Sequence, residues 1–71
     1  MNKKFIEECL KNISVDQEFG EDIFNYSISL DGTGNPVETG SDEAEICFIS
    51  DTVDGAIHDA WVYHSNKIME D

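Results

Sequence analysis

Between Lys11 and Lys67 the chain carries no lysine and no arginine, while twelve carboxylates are spread through that interval. They are Asp16, Glu18, Glu21, Asp22, Asp31, Glu38, Asp42, Glu43, Glu45, Asp51, Asp54 and Asp59. Lys3, Lys4, Lys11 and Lys67 are offset by Glu7, Glu8, Glu70 and Asp71 at the two ends, so the whole net charge of −12 sits in the middle. Any fold of this chain must therefore present an acidic surface. Self-repulsion of this size costs a small fold stability and points to a use for the field, the obvious one being a strongly basic partner.

The 71 residues make a single domain, 1–71. A chain of this length buries only about 60% of its unfolded surface, so the core is thin. A 39% hydrophobic content with seven aromatics is nevertheless too much for a disordered acidic tail. The chain has no arginine, which weakens a direct nucleic-acid-binding reading, because a phosphate binder needs cations. Glu7 and Glu8 interrupt the apolar run behind Lys3 and Lys4, so no secretory signal is read there. No apolar stretch approaches the roughly 18 residues of a membrane span. Cys9 and Cys47 read as reduced, buried small residues, and the expected compartment is the cytoplasm.

Residues 2–13 read as an amphipathic helix capped by Asn2, with Phe5, Ile6, Cys9, Leu10 and Ile13 in one stripe. Ser14 to Gly20 reads as a connector. Residues 22–30 read as a strand, because Phe24, Tyr26, Ile28 and Leu30 alternate with Asn25, Ser27 and Ser29. The polar alternate face implies that one side of the sheet meets water or a partner. Asp31 to Pro36 is turn chemistry, Val37 to Thr39 a short return strand, and residues 44–50 a central strand. The last third admits two readings. As a helix over 52–68, Val53, Ile57, Ala60, Trp61, His64 and Ile68 form a stripe. As a hairpin, Asp54-Gly55 is a turn signal that pairs Phe48 with Trp61 and Ile46 with Tyr63. The hairpin is preferred on the strand composition of Trp61-Val62-Tyr63, with Trp61 in the core against Phe48. The fold class is then α+β, an N-terminal helix packed on a small antiparallel β-meander. An αββα arrangement with a C-terminal helix is the alternative.

Few motifs carry chemistry. Asp31, Thr33 and Asn35, with Asp42 and Glu43 downstream, have some of the spacing of a calcium loop. Pro36 stands where the sharp turn needs glycine, so a plain hairpin loop is the better reading. Gly32-Thr-Gly34 is too short for a phosphate-binding fingerprint and precedes no helix. The two histidines and two cysteines lack zinc-ligand spacing. His58 and Asp59 are adjacent, which on a strand points them to opposite faces. No enzyme activity, cofactor or metal is expected. The carboxylates remain, and Glu43 with Glu45 on one strand face would stand about 6.7 Å apart. Such a row suits a groove built for phosphates.

Over residues 22–68 the chain resembles the small phage-encoded uracil-DNA glycosylase inhibitors, acidic proteins that mimic DNA. Asp22-Ile23-Phe24 opens a strand and an acidic turn follows. Ile46-Cys-Phe-Ile-Ser-Asp51 is similar to a central apolar strand ending in Ser-Asp. Trp61-Val62-Tyr63 looks like that family's late Trp-bearing strand, followed by Ser65-Asn66 and Lys67-Ile68. The family's acidic first strand and second helix have only Ser14 to Gly20 to correspond to, with Gln17-Glu18 as the candidate for its leading Gln-Glu pair. The resemblance implies a protein that blocks a DNA-binding enzyme such as uracil-DNA glycosylase; other phage DNA mimics, inhibitors of CRISPR effectors and restriction nucleases among them, share this charge and size without shared motifs. The expected partner is a basic nucleic-acid-binding host protein. The expected contact residues are Asp16, Glu18, Phe19, Glu21, Asp22, Glu38, Asp42, Glu43 and Glu45, with Phe19 or Val37 as an exposed apolar anchor. The alternative is a small acidic structural or regulatory subunit without nucleic-acid mimicry.

Overall fold

Asn2 sets the start of the first helix: its side-chain oxygen accepts the amide of Lys4 at 2.8 Å, satisfying one of the donors a helix start leaves open. Helix α1 (Lys3–Asn12) follows in the computed structural model, which describes residues 2–17, 20 and 23–69. After it come β1 (Ser14–Gln17), β2 (Phe24–Leu30), β3 (Pro36–Val37), β4 (Ile46–Ser50) and α2 (Val53–Met69). Phe5 and Cys9 of α1 are buried and Ile6 is half-buried, as the stripe requires, but Leu10 at its edge faces solvent.

Ser14 to Gln17 is a strand rather than a connector. It pairs antiparallel with β2 from Ser14 opposite Ser27 to Gln17 opposite Phe24. On the other edge of β2, β4 pairs antiparallel from Tyr26 opposite Ser50 to Leu30 opposite Ile46. β3 pairs only with the end of β2, through Ser29 opposite Val37 and Leu30 opposite Pro36. Residues of β2 that pair with β4 also pair with β1 or β3, so those two must lie end to end on the opposite edge. β2 is therefore the central strand. The segment expected to be central, β4, is an edge: Cys47 is exposed and Ile49 is 65% exposed.

The hairpin expected over 52–63 is not formed, and the C-terminal helix of the alternative reading stands in its place. The physical reason is local first. Thr52 Oγ1 accepts the amide of Gly55 at 3.0 Å, and Asp54 sits in the first turn, where a carboxylate favours the helix dipole. Asp54-Gly55 is thus the first turn of α2, not a β-turn. Then the helical stripe buries Ala56, Ile57 and Ala60 completely or nearly so, with Val53, Trp61 and His64 half-covered. That burial outweighs the strand preference of Trp61-Val62-Tyr63, which context readily overrides. Phe48 accordingly meets Tyr63, ring centres 5.8 Å apart, and Trp61 meets Phe5 edge to face at 5.3 Å. The class expected, α+β with an N-terminal helix on a small antiparallel sheet, is the class observed.

Both helices cover one face of the sheet. The core joins Phe5 and Cys9 of α1, Ile28 and Leu30 of β2, and Ala56, Ile57 and Ala60 of α2. The other face carries Asp16, Asn25, Ser27 and Ser29 along its middle, with Cys47 and Ile49 on β4. Ser29 Oγ bonds the hydroxyl of Thr39 at 3.0 Å on that side. No helix among the described residues is long and apolar enough to cross a membrane.

Candidate docking surface

The fold sorts the charges by layer. Lys3, Lys4 and Lys11 lie on α1 and Lys67 on α2, so all four cationic side chains belong to the helices. Among the described residues, the sheet with its connections, 13–52, carries seven carboxylates and no lysine or arginine. Its pole at the end of β2 is built by the β3–β4 connection. Ser41 donates its amide to Glu38 at 3.1 Å, Ala44 donates to Ser41 at 3.2 Å, and Glu45 donates to Leu30 at 2.8 Å. These bonds bring Glu38, Asp42, Glu43 and Glu45 together on one exposed connection. Glu45 leans toward the Asp31–Asn35 loop, where a Cβ on Gly32 would meet its Cγ at 3.6 Å.

The expected row of carboxylates on a strand is not present. Glu43 lies in a turn and Glu45 precedes β4, so among the described strand residues only Asp16 is acidic. Asp16 stands opposite Asn25, five residues from Leu30, which puts it about 17 Å along β2 from the β3–β4 connection. Asp51 follows β4 at that same far end. Val37 is half-buried in β3, so it is no exposed anchor. Glu18, Phe19, Glu21 and Asp22 lie outside the described residues.

Asp31 is occupied by its own loop. Its Oδ1 accepts the Thr33 hydroxyl at 2.6 Å and the amides of Thr33 and Asn35, each at 2.9 Å. Chiefly the Thr33 hydroxyl holds this carboxyl below its ordinary value of 3.8; burial, the next influence, opposes it, and the amides of Asn35, Thr33 and Gly34 each add a smaller pull in the lowering direction. The residues of the calcium-like spacing thus close a hairpin turn. The loop is held down on α2: His64 Nδ1 donates to the Gly34 carbonyl at 2.7 Å, and the His64 ring packs on Phe5 at 4.4 Å. His58 and Asp59 are both exposed on α2. Burial first, and the neighbouring Glu8 second, push the Cys9 thiol up to about 11, so it stays protonated near neutral pH. Cys47, expected buried, is an exposed free thiol.

The sequence reading missed a second patch. Along the helix-facing side of β2, burial runs out from Leu30 and Ile28, at 0% and 1% exposure, through half-buried Tyr26 to Phe24 at 41%. Ile23 beside it is 45% exposed and Val15, opposite Tyr26, is 52% exposed. Among the described residues neither helix packs on β1, and Val15, Ile23 and Phe24 stay exposed. A cleft of about 270 Å³ lies there, lined by Ile23, Phe24, Tyr26 and Asp51. The alternation that marks these side chains in the sequence names their face but not where the covering layer stops.

Of the segments that resemble the glycosylase inhibitors, Ile46 to Ser50 is a strand with Asp51 behind it, and β2 opens at Phe24. Trp61-Val62-Tyr63 is helical, so the late Trp-bearing strand has no counterpart. Compared with protein-family models, with curated proteins and with solved structures, the chain matches none.

Proposed function

We propose that this protein acts by binding rather than catalysis, as an acidic mimic of nucleic acid that occupies the groove of a basic nucleic-acid-binding protein. The observation that carries this reading is the sorting of charge among the described residues: all four lysines on the helices, and seven carboxylates with no lysine or arginine on the sheet and its connections. A surface made only for solubility gains nothing from such segregation, since mixed charges serve as well with less repulsion. A one-signed layer gives a directed field that speeds encounter with a basic groove. In the bound state, exposed carboxylates of the β3–β4 connection replace phosphates as acceptors for arginine and lysine, in charge-assisted hydrogen bonds. The partner loses access to its nucleic acid by occlusion. Uracil-DNA glycosylase, CRISPR effectors and restriction nucleases are the candidate targets, and the reading places the protein in the cytoplasm with them.

The test is competition. Purified candidate targets, uracil-DNA glycosylase first, are mixed with the protein and assayed for binding of their nucleic acid. A bound target should be unable to take up its nucleic acid, and association should slow as salt rises. Replacing Asp42 by Asn together with Glu43 by Gln should weaken binding with little loss of stability, because both side chains are exposed. A target that takes up its nucleic acid equally well with the protein attached overturns the mimicry. So does a panel in which no such target is bound.

A further inference from the structure

The uncovered corner of the sheet offers a more specific contact than a field of carboxylates. Phe24 and Tyr26 are two residues apart on one face of β2, about 6.7 Å along the strand, and both line the 270 Å³ cleft. Asp51, directly after Tyr26's strand partner Ser50, supplies a carboxylate to the same cleft, and Ile23 an apolar wall. The volume falls just short of the roughly 300–1,000 Å³ of small-molecule sites, so it suits one side chain. Two aromatic rings and one carboxylate are the chemistry that receives a guanidinium: the rings take its face and the carboxylate takes its N–H donors. An apolar or acidic occupant would leave Asp51 unpaired or repelled. A second copy of this chain, also at −12, is opposed by its own charge.

We infer that the cleft lined by Ile23, Phe24, Tyr26 and Asp51 is a docking slot for an arginine side chain of the basic partner. The inference rests on the basic-partner reading for its occupant. The slot adds apolar and aromatic contact beside a carboxylate, an anchor that scattered surface carboxylates lack. It lies at the opposite end of β2 from Glu38, Asp42, Glu43 and Glu45, so the partner is held at two separated points along the sheet.

The experiment needs no partner. The full chain, labelled with ¹⁵N, is titrated with N-acetyl-arginine amide and separately with the neutral N-acetyl-citrulline amide, at constant ionic strength. Arginine should shift the amide signals of Ile23, Phe24, Tyr26 and Asp51 ahead of all others, and citrulline should not. Asp51→Asn and Phe24→Leu should each weaken that response about two- to five-fold, the scale of an exposed ion pair or cation–π contact. Shifts spread evenly over the acidic residues, or no shifts at the slot, overturn it. Because Asp51→Asn alters only an exposed side chain, the result stands even where Phe24→Leu fails to fold. A target that loses its nucleic acid to this protein while the slot ignores arginine would overturn the slot and leave the mimicry standing.

Discussion

The two ends of β2 share one sequence pattern and meet opposite fates. At the Leu30 end both helices close over the sheet, Gly34 is pressed under α2, and Ile28 and Leu30 lose all but 1% of their exposure. At the Phe24 end the same face continues beyond the helices, and Val15, Ile23 and Phe24 stay 41–52% exposed. An alternating strand specifies a face; the placement of the covering layer decides how much of that face becomes core. In a domain this small the covering layer is short, so the remainder is an apolar surface beside a carboxylate.

Paired truncations break this comparison most sharply. Leu30→Ala should cost about 2–5 kcal/mol, because the methyl groups removed are fully buried and leave a cavity. Against a total stability of about 5–15 kcal/mol, with small domains at the low end, that removes a large part of the margin and moves the urea midpoint sharply down. Phe24→Ala should cost clearly less, since much of its ring is already in water. Urea unfolding followed by circular dichroism measures both. Equal losses would mean that the Phe24 end is as well packed as the Leu30 end.

Gly34→Ala tests how firmly the covered end is closed. Gly34 has φ +88°, and a Cβ there would meet the Lys67 Cβ at 3.2 Å. The left-handed backbone alone costs a residue with a Cβ about 1–2 kcal/mol. The loop must also lift from α2, which lengthens the bond from His64 to the Gly34 carbonyl. The expected result is a loss of stability together with a shifted His64 ring signal in NMR. A variant as stable as the parent would show that the loop does not bear on α2.

How far the sequence reached follows the same division. The first helix, its Asn2 cap and the alternating strand were legible because their signals are local and lie in consecutive residues. The last third was not. Asp54-Gly55 serves a turn and a helix start equally well, and the deciding groups, the Thr52 hydroxyl and a sheet face for Ala56, Ile57 and Ala60 to fill, include Ile28 and Leu30, far back in the chain. β1 was missed because only Val15 in it is large and apolar, and it is held by backbone pairing with β2. The expected contact residues divide in the same way. Glu38, Asp42, Glu43 and Glu45 are near in sequence and stay together. Asp16 goes to the far end because the strand order, not the sequence distance, sets its neighbours.

Thr52→Ala acts at the uncovered end. It removes the acceptor of the Gly55 amide and should cost about 1 kcal/mol, the usual value for a lost cap. The loss should be local. Amide exchange in the first turn of α2 should rise, at Gly55 most of all, while β2 at Leu30 keeps its protection. Equal rises at both places would show one cooperative unit with no weaker end.

The smallest effect expected belongs to Asp31, and its sign is set by the direction of its pKa. The folded carboxyl is more acidic than its ordinary value of 3.8, because the Thr33 hydroxyl and the loop amides favour the charged form. Its contribution to stability is therefore fully present above the unfolded value and is lost as pH falls through the lower folded value. Asn in its place keeps a side-chain oxygen for the same donors but no charge to titrate. Asp31→Asn should thus be less stable than the parent by a constant amount between pH 5 and 7, below about 1 kcal/mol for so exposed a group. The difference should shrink below about pH 4. Acid also relieves the repulsion among the other carboxylates, but it does so in both proteins and cancels to first order in the difference. Thermal unfolding of the pair at a series of pH values measures it. A difference that holds constant to pH 3, or widens, would mean that the loop over the covered end is held by its backbone bonds alone and owes nothing to the charge of Asp31.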